Sequence, residues 1–181
     1  MLFIISGPSG VGKTSIVKKI IELNPNFKQV ITYTTRKKRQ NEKHGRDYYF
    51  LSKKQFEEKI KNKDFLEWAI VHNNYYGTLK KEIKKNALLI INIDFQGVLQ
   101  IKRKKIKATF IFIKPKSLNE LLSRINKREK MTEKDLKIRL NTAKNELKQA
   151  KKIYDYVIIN EENKFNQTVQ KILKIIMQVV L

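Results

Sequence analysis

The chain has 181 residues, which is enough for one domain with a sizeable core or for a core that carries small inserted subdomains. It contains no cysteine, which excludes disulfides and thiolate metal sites and leads us to expect a cytoplasmic protein. The net charge is +23, but lysine far outnumbers arginine and is spread over the whole chain, so we expect a solvated basic surface and no nucleic-acid partner.

The first predicted elements are an apolar strand over residues 1–5 and a helix over residues 15–23. Residues 7–14 match G-x-x-x-x-G-K-[ST], the phosphate-binding P-loop. Its glycines let successive N–H groups point into one concavity, and the helix N-terminus adds its positive dipole end. We expect a nucleoside triphosphate here, with Lys13 reaching its β- and γ-phosphates and the Thr14 hydroxyl ligating Mg²⁺. The predicted ATP-binding loop consists of Gly7, Pro8, Ser9, Gly10, Val11, Gly12, Lys13, Thr14 and Ser15.

Residues 29–77 interrupt the strand–helix alternation and predict a small α+β insertion rich in polar aromatic side chains. Two short strand-like runs, residues 47–51 and 65–71, flank a predicted helix. That helix opens at Ser52, and Gln55 three residues later completes a capping box.

Hydroxyls and arginines are concentrated at the start of this insertion. Because arginine makes strong bidentate contacts to phosphate, the pattern predicts a binding site for a monophosphate acceptor. The predicted grip consists of Arg36, Arg39, Tyr48 and Tyr76. For the intervening lysines we favour simple exposure to water.

Beyond the insertion, apolar runs again alternate with helical patterns, at residues 87–93 and 95–103, 109–113 and 118–125, and 156–159 and 165–180. Such alternation predicts a parallel sheet covered by helices on both faces. Residues 126–133 have no apolar period and predict a second, smaller insertion between two helices. Scarce arginines lie in or beside it, at positions 124, 128 and 139.

The motifs of the first insertion, taken in order, resemble those of the guanylate kinase family. Residues 34–50 resemble its GMP-binding signature, Thr-Thr-Arg-x-x-Arg-x-x-Glu-x-x-Gly-x-Asp-Tyr-x-Phe. Residues 65–69, 74–78 and 93–97 resemble its next three segments, and the P-loop also has the family's form. The resemblance runs with compatible spacing from residue 6 to residue 160.

The resemblance implies an α/β fold: a three-layer P-loop NTPase core with a parallel sheet, plus a small α+β GMP-binding insertion and a short lid. The implied division is a core of residues 1–31, 79–123 and 140–181, a GMP-binding subdomain of residues 32–78, and a lid of residues 124–139. The implied activity is transfer of a phosphoryl group from ATP to GMP with Mg²⁺.

For the acceptor base, the resemblance implies that Glu67 accepts hydrogen bonds from N1–H and the 2-amino group of guanine. Adenine lacks both donors and would leave the carboxylate unpaired, which can reject an analogue by ~10⁴ or more. Thr32 and Thr78 would donate to O6. An ordinary salt bridge between Glu67 and a lysine stays open as the alternative. The implied GMP site consists of Thr32, Arg36, Arg39, Glu42, Tyr48, Glu67, Tyr76, Thr78, Asn92 and Asp94.

For catalysis, Lys13, Arg39, Arg128 and Arg139 match the family's catalytic residues, and Arg36 would hold the acceptor phosphate. Arg124 is a further candidate lid arginine, and Asn160 matches a position that contacts the ATP base. Thr14 and Asp94 are the implied ligands of Mg²⁺.

Two residues depart from the family pattern. Asn92 replaces an acidic residue, and we expect it to share a strand face with Asp94 near the P-loop. The part of that acid in Mg²⁺ or GMP binding then falls to Asp94 or is lost. Glu129 follows Arg128 where the family has glycine, which removes backbone freedom from the lid.

Other functions stay open as hypotheses: a catalytically inactive guanylate-kinase-like interaction domain, a nucleic-acid-binding protein, or a P-loop kinase with another acceptor. The apolar-rich segment near the C-terminus contains Lys171 and Lys174 and is too short and too charged to span a bilayer, and residues 1–5 read as a strand. We therefore expect no membrane partner and no signal peptide. The sequence leaves the oligomeric state open.

Overall fold

The computed structural model describes residues 1–84, 87–128 and 132–180. Its strands are β1 Leu2–Ser6, β2 Phe27–Gln29, β3 Tyr33–Thr34, β4 Tyr49–Phe50, β5 Phe65–Val71, β6 Asn74–Leu79, β7 Leu88–Asn92, β8 Thr109–Pro115 and β9 Tyr156–Asn160. Its α-helices are α1 Lys13–Leu23, α2 Lys53–Lys61, α3 Phe95–Arg103, α4 Leu118–Arg128, α5 Glu133–Ile153 and α6 Phe165–Val180.

The central sheet is parallel, with the strand order β2-β7-β1-β8-β9. Every residue of β1 is buried, and its side chains alternate between two apolar layers. Phe3 and Ile5 pack with α1, α4 and α6, whereas Leu2 and Ile4 pack with α3 and the C-terminal end of α5. The predicted fold class, a parallel sheet covered on both faces, is therefore confirmed.

The insertion forms a second sheet with the order β4-β3-β6-β5. Helix α2 packs on it through Phe56, whose ring stacks on Phe65 at 4.3 Å and on Tyr75 at 5.1 Å between centroids. The Ser52 hydroxyl accepts a hydrogen bond from the Gln55 backbone N–H, and the Gln55 side chain accepts one from Ser52, so the predicted capping box is confirmed.

Sequence reasoning did not identify three strands, β2, β3 and β6. They are short or carry polar residues on both faces, so neither alternation nor a continuous apolar run marks them. The prediction also extended β7 too far: the strand ends at Asn92, and Asp94 is the N-cap of α3. Within the described ranges, no helix combines the length and apolar character needed to cross a bilayer.

Replacing Ile111 by alanine should test this core. Ile111 is fully buried in β8, so Ile111→Ala should lower the free energy of unfolding by about 2–5 kcal/mol. Ile159 in the adjacent strand β9 is 43% exposed, and Ile159→Ala should cost clearly less. Urea unfolding measures both values, and equal losses would contradict the placement of the core.

Candidate active site

A cleft of about 820 Å³ is lined by residues of both the central sheet and the insertion. It brings together most of the predicted site residues, although these are far apart in sequence. Those lining it are Gly7, Pro8, Ser9, Gly10, Gly12, Lys13, Thr14, Ser15, Thr32, Arg36, Arg39, Glu42, Tyr48, Glu67, Tyr76, Asn92, Asp94, Arg124 and Arg139. Val11, Thr78 and Asn160 are buried outside this lining.

The P-loop connects the end of β1 to α1 through backbone conformations that need glycine. Gly10 and Gly12 have φ values of 88° and 100°, which residues with a side chain rarely adopt. Gly12 leads directly into α1, so the free N–H groups of the first helical turn continue the concavity of the loop. Lys13 Nζ donates to the carbonyls of Gly7 at 2.6 Å and Pro8 at 3.1 Å, which holds its ammonium group over the loop.

Two predicted ATP-binding residues support this loop from behind. Asn160 Nδ2 donates to the Val11 carbonyl at 2.8 Å, and Arg124 donates to the carbonyls of Val11 and Asn160. Asn160 is only 3% exposed. Asn160 therefore supports the loop, and its contact with the ATP base stays a prediction.

The residues considered for Mg²⁺ lie beside the loop. Asn92 Nδ2 donates to the Thr14 hydroxyl oxygen at 3.2 Å. Asp94 Oδ1 accepts from the Gly97 backbone N–H at 2.9 Å, and burial raises the pKa of Asp94. The two residues thus approach the loop from a strand end and a helix N-cap, not from one strand face as predicted.

This donor set fits Mg²⁺ bound together with substrate phosphates. Mg²⁺ is usually held by one or two carboxylates plus phosphate oxygens and water. A hydroxyl (Thr14) and a carboxylate (Asp94) meet that requirement. The described residues contain no group of three or more acidic or histidine side chains placed to hold a metal alone.

The arginines of the acceptor side are held by Glu42. Its carboxylate oxygens accept two hydrogen bonds from Arg36 Nη2, at 2.7 and 2.9 Å, and one from the Arg39 backbone N–H at 2.9 Å. Although burial acts in the opposite direction, these bonds lower the pKa of Glu42. The Arg36 guanidinium also lies 5.5 Å from the ring centroid of Tyr48. Glu42 therefore holds two of the four predicted phosphate-binding residues in place, Arg36 and Arg39.

Glu67 provides a deeply buried carboxylate in the same cleft. It is 2% exposed, and its Oε1 accepts a hydrogen bond from the Thr78 hydroxyl at 2.6 Å. Gly97 lies so close that a Cβ there would overlap the Glu67 carboxylate. Burial raises the pKa of Glu67 to about 8, against the opposing effect of the Thr78 hydrogen bond. The Thr78 hydroxyl thus bonds to Glu67, and its contact with guanine O6 stays a prediction.

Comparisons with known proteins agree with this arrangement. The family model described as guanylate kinase matches residues 1–179. A guanylate kinase of Clostridium tetani is 43% identical over 97% of this chain and 85% of its own length. One of Mycoplasma genitalium is also 43% identical, over 97% of this chain and 75% of its own length.

The chain belongs to the guanylate kinase family.

The fold agrees as well. The crystal structure of guanylate kinase from Anaplasma phagocytophilum superimposes with a TM-score of 0.77 and 29% identity, covering 98% of this chain and 84% of that one. The predicted family and fold class are therefore confirmed. Two residues noted for the guanylate kinase lid, the side chain of Arg128 and the whole of Glu129, lie outside the described part of the chain.

Sequence reasoning missed several acidic residues that line this cleft, namely Asp47, Asp135 and Glu146. Glu146 on α5 lines the cleft, and its Oε2 is buried without a hydrogen-bond partner among the described residues. Burial raises its pKa to about 7, with Lys13 acting to lower it and Asp94 to raise it. Helical spacing was the available signal, because Arg139, Thr142 and Glu146 recur on one face of α5.

The raised pKa of Glu67 should make stability depend on pH. Between about 4.5, its ordinary value, and about 8, the folded state binds this proton more tightly than the unfolded state. The free energy of unfolding should therefore fall as pH rises through that window and level off above it. Glu67→Gln should make the fall shallower, because glutamine does not titrate.

Urea unfolding at pH 5, 6, 7 and 8 measures this effect as the difference between wild-type and variant curves. Glu22 is exposed, and Glu22→Gln should run parallel to the wild type. Parallel curves for Glu67→Gln and the wild type would contradict the buried, proton-retaining carboxyl.

Proposed function

We propose that this chain transfers the γ-phosphoryl group of ATP to GMP, giving ADP and GDP. The observation that carries the proposal is the pairing of two unlike binding sites in one cleft. A phosphate-binding loop lies on the core side, and the buried carboxylate of Glu67 lies on the insertion side. Arginines line the same cleft, where phosphate groups of two substrates would meet.

At the donor end, the P-loop amides would hold the β- and γ-phosphates of ATP. Lys13, now bound to the Gly7 and Pro8 carbonyls, would extend to the phosphate oxygens. Thr14 and Asp94 would hold Mg²⁺, which neutralises phosphate charge and orients the β- and γ-phosphates when bound. Asn92 would position the Thr14 hydroxyl through their hydrogen bond.

At the acceptor end, Arg36, Arg39, Tyr48 and Tyr76 would bind the GMP phosphate. Glu67 would accept hydrogen bonds from guanine N1–H and the 2-amino group. Both groups are donors, so guanine binding favours the ionised carboxylate and should release the proton that burial keeps on Glu67. Thr32 lines the cleft and would donate to O6, while Thr78 would orient the carboxylate.

Phosphoryl transfer depends mainly on positioning and charge neutralisation. Arg39 and Arg139 line the cleft and would stabilise the charge that develops on the transferred group, and the resemblance assigns Arg128 to the same role. We assign residues 32–78 to GMP binding, residues 124–139 to a closing lid, and the remaining ranges to the core. Closure would exclude water that could otherwise hydrolyse ATP.

The inactive interaction domain is the less favoured hypothesis. Its supporting feature would be a degraded phosphate-binding loop, but this loop keeps its glycines together with Lys13 and Thr14. The relatives described above also carry the name of the enzyme.

Lys13→Ala should nearly abolish turnover, because the loop loses the cation that would contact the transferred phosphate. Coupled ADP production from ATP and GMP measures the rate, and circular dichroism checks that the variant is folded. Lys171 is exposed on α6, and Lys171→Ala should keep wild-type turnover. A Lys13→Ala enzyme with more than a tenth of wild-type activity would refute the proposed donor site.

Glu67→Gln should impair GMP and spare ATP, because an amide offers one acceptor atom and cannot pair with both guanine donors. We expect kcat/KM for GMP to fall by ~10² or more with the KM for ATP within about twofold. For the unmodified enzyme, assays with GMP, AMP, CMP and UMP should show turnover with GMP and very little turnover with the other three. Unchanged preference for GMP in Glu67→Gln would show that this carboxylate does not read the base.

A further inference from the structure

Strand β5, which carries Glu67, lies at the edge of the insertion sheet. One side of β5 pairs with β6 from Phe65↔Leu79 to Val71↔Asn74. On the other side, an edge strand presents N–H and C=O groups that no strand satisfies. In this protein helix α3 of the core lies along that side, and it is the α3–β5 contact that joins the core to the strand bearing Glu67.

Gln100 on α3 bonds to the backbone of β5 in the way a neighbouring strand would. Its Oε1 accepts from the Trp68 backbone N–H at 3.2 Å, and its Nε2 donates to the Trp68 carbonyl at 2.5 Å. One side-chain amide thus satisfies both polar groups of one strand residue. Trp68 is the residue directly after Glu67.

Two further contacts come from α3 and from its C-cap, Lys104. Lys104 Nζ donates to the carbonyl of Leu66, the residue directly before Glu67. Gly97 lies against the Glu67 carboxylate itself. Positions 97, 100 and 104 follow helical spacing, so they face one way. The pairing of β5 with β6 is irregular between Phe65 and Glu67, so the core helix holds the strand where its own sheet holds it least regularly.

We propose that Gln100 is a positioning residue for Glu67: by pairing with Trp68, it sets the depth at which the Glu67 carboxylate enters the cleft. Gln100 does not line the cleft. Its effect on the reaction is therefore indirect and specific to the acceptor. The inference rests on the proposed role of Glu67 in reading guanine.

Gln100→Ala tests the proposal with two independent readouts. Amide hydrogen exchange, followed by NMR, should show the Trp68 amide exchanging about tenfold faster than in the wild type, because it loses its hydrogen-bond acceptor. Steady-state kinetics should show the KM for GMP rising about tenfold, with the KM for ATP and kcat at saturation within about twofold. Gln170 is exposed on α6, and the matched control Gln170→Ala should change none of these values.

Each departure from this result is decisive. An unchanged Trp68 exchange rate would show that the pairing does not hold the strand. Faster exchange with an unchanged KM for GMP would show that the pairing does not position Glu67, and equal rises in both KM values would show a general loss of structure. Any of these outcomes overturns the proposal.

Gln100→Glu provides a second variant of nearly the same shape, in case Gln100→Ala does not fold. It keeps an acceptor for the Trp68 N–H but places a carboxylate oxygen against the Trp68 carbonyl, so the KM for GMP should still rise selectively. No rise would overturn the proposal. If Glu67 does not recognise guanine, Glu67→Gln will show an unchanged preference for GMP. The exchange rate of the Trp68 amide tests the Gln100 contact independently of which residue recognises the base.

Discussion

The buried carboxylate of Glu67 is the constraint on which the acceptor site depends. A carboxylate removed from water is costly unless hydrogen bonds or opposite charges compensate. Here the Thr78 hydroxyl supplies one bond, and the group keeps its proton up to a pKa of about 8. A ligand with two adjacent donors can complete the compensation. Under the proposed function, burial therefore favours guanine, because a base without such donors cannot stabilise the ionised carboxylate in place of the water it has lost.

Helix α3 connects this acceptor carboxylate to the donor site. Its N-cap is Asp94, beside the P-loop, and its third residue is Gly97, against Glu67. The first turn of one helix thus contacts both the proposed metal ligand and the proposed base reader. Phosphoryl transfer requires the two substrates to be held in line. Under the proposed roles, this turn of α3 keeps the two groups close together.

The sequence predicts the local features of this site well and the long-range ones poorly. The P-loop and the capping box at Ser52 are contiguous patterns with strong backbone requirements, so both are readable from the chain. The pairing of Gln100 with Trp68 joins residues 32 positions apart, and no sequence pattern in either segment predicts it. The partner of the Thr78 hydroxyl and the inward direction of Glu146 likewise depend on how elements pack. Ordered motif spacing identified the cleft, but only the packing shows which residues support others.

The acceptor arginines illustrate why such supporting residues are needed. Arg36 and Arg39 carry like charges and, in the proposed function, would converge on one phosphate, which is unfavourable without a counter-ion. Glu42 supplies that counter-ion. Its carboxylate accepts two hydrogen bonds from one terminal nitrogen of Arg36 and one from the Arg39 guanidinium. Its pKa is lowered, so it remains ionised at neutral pH and the arrangement persists without substrate. Glu42 and Gln100 would therefore act in the same way in the proposed function. Each would order a substrate-binding group in advance, so that less conformational freedom is lost when the acceptor binds.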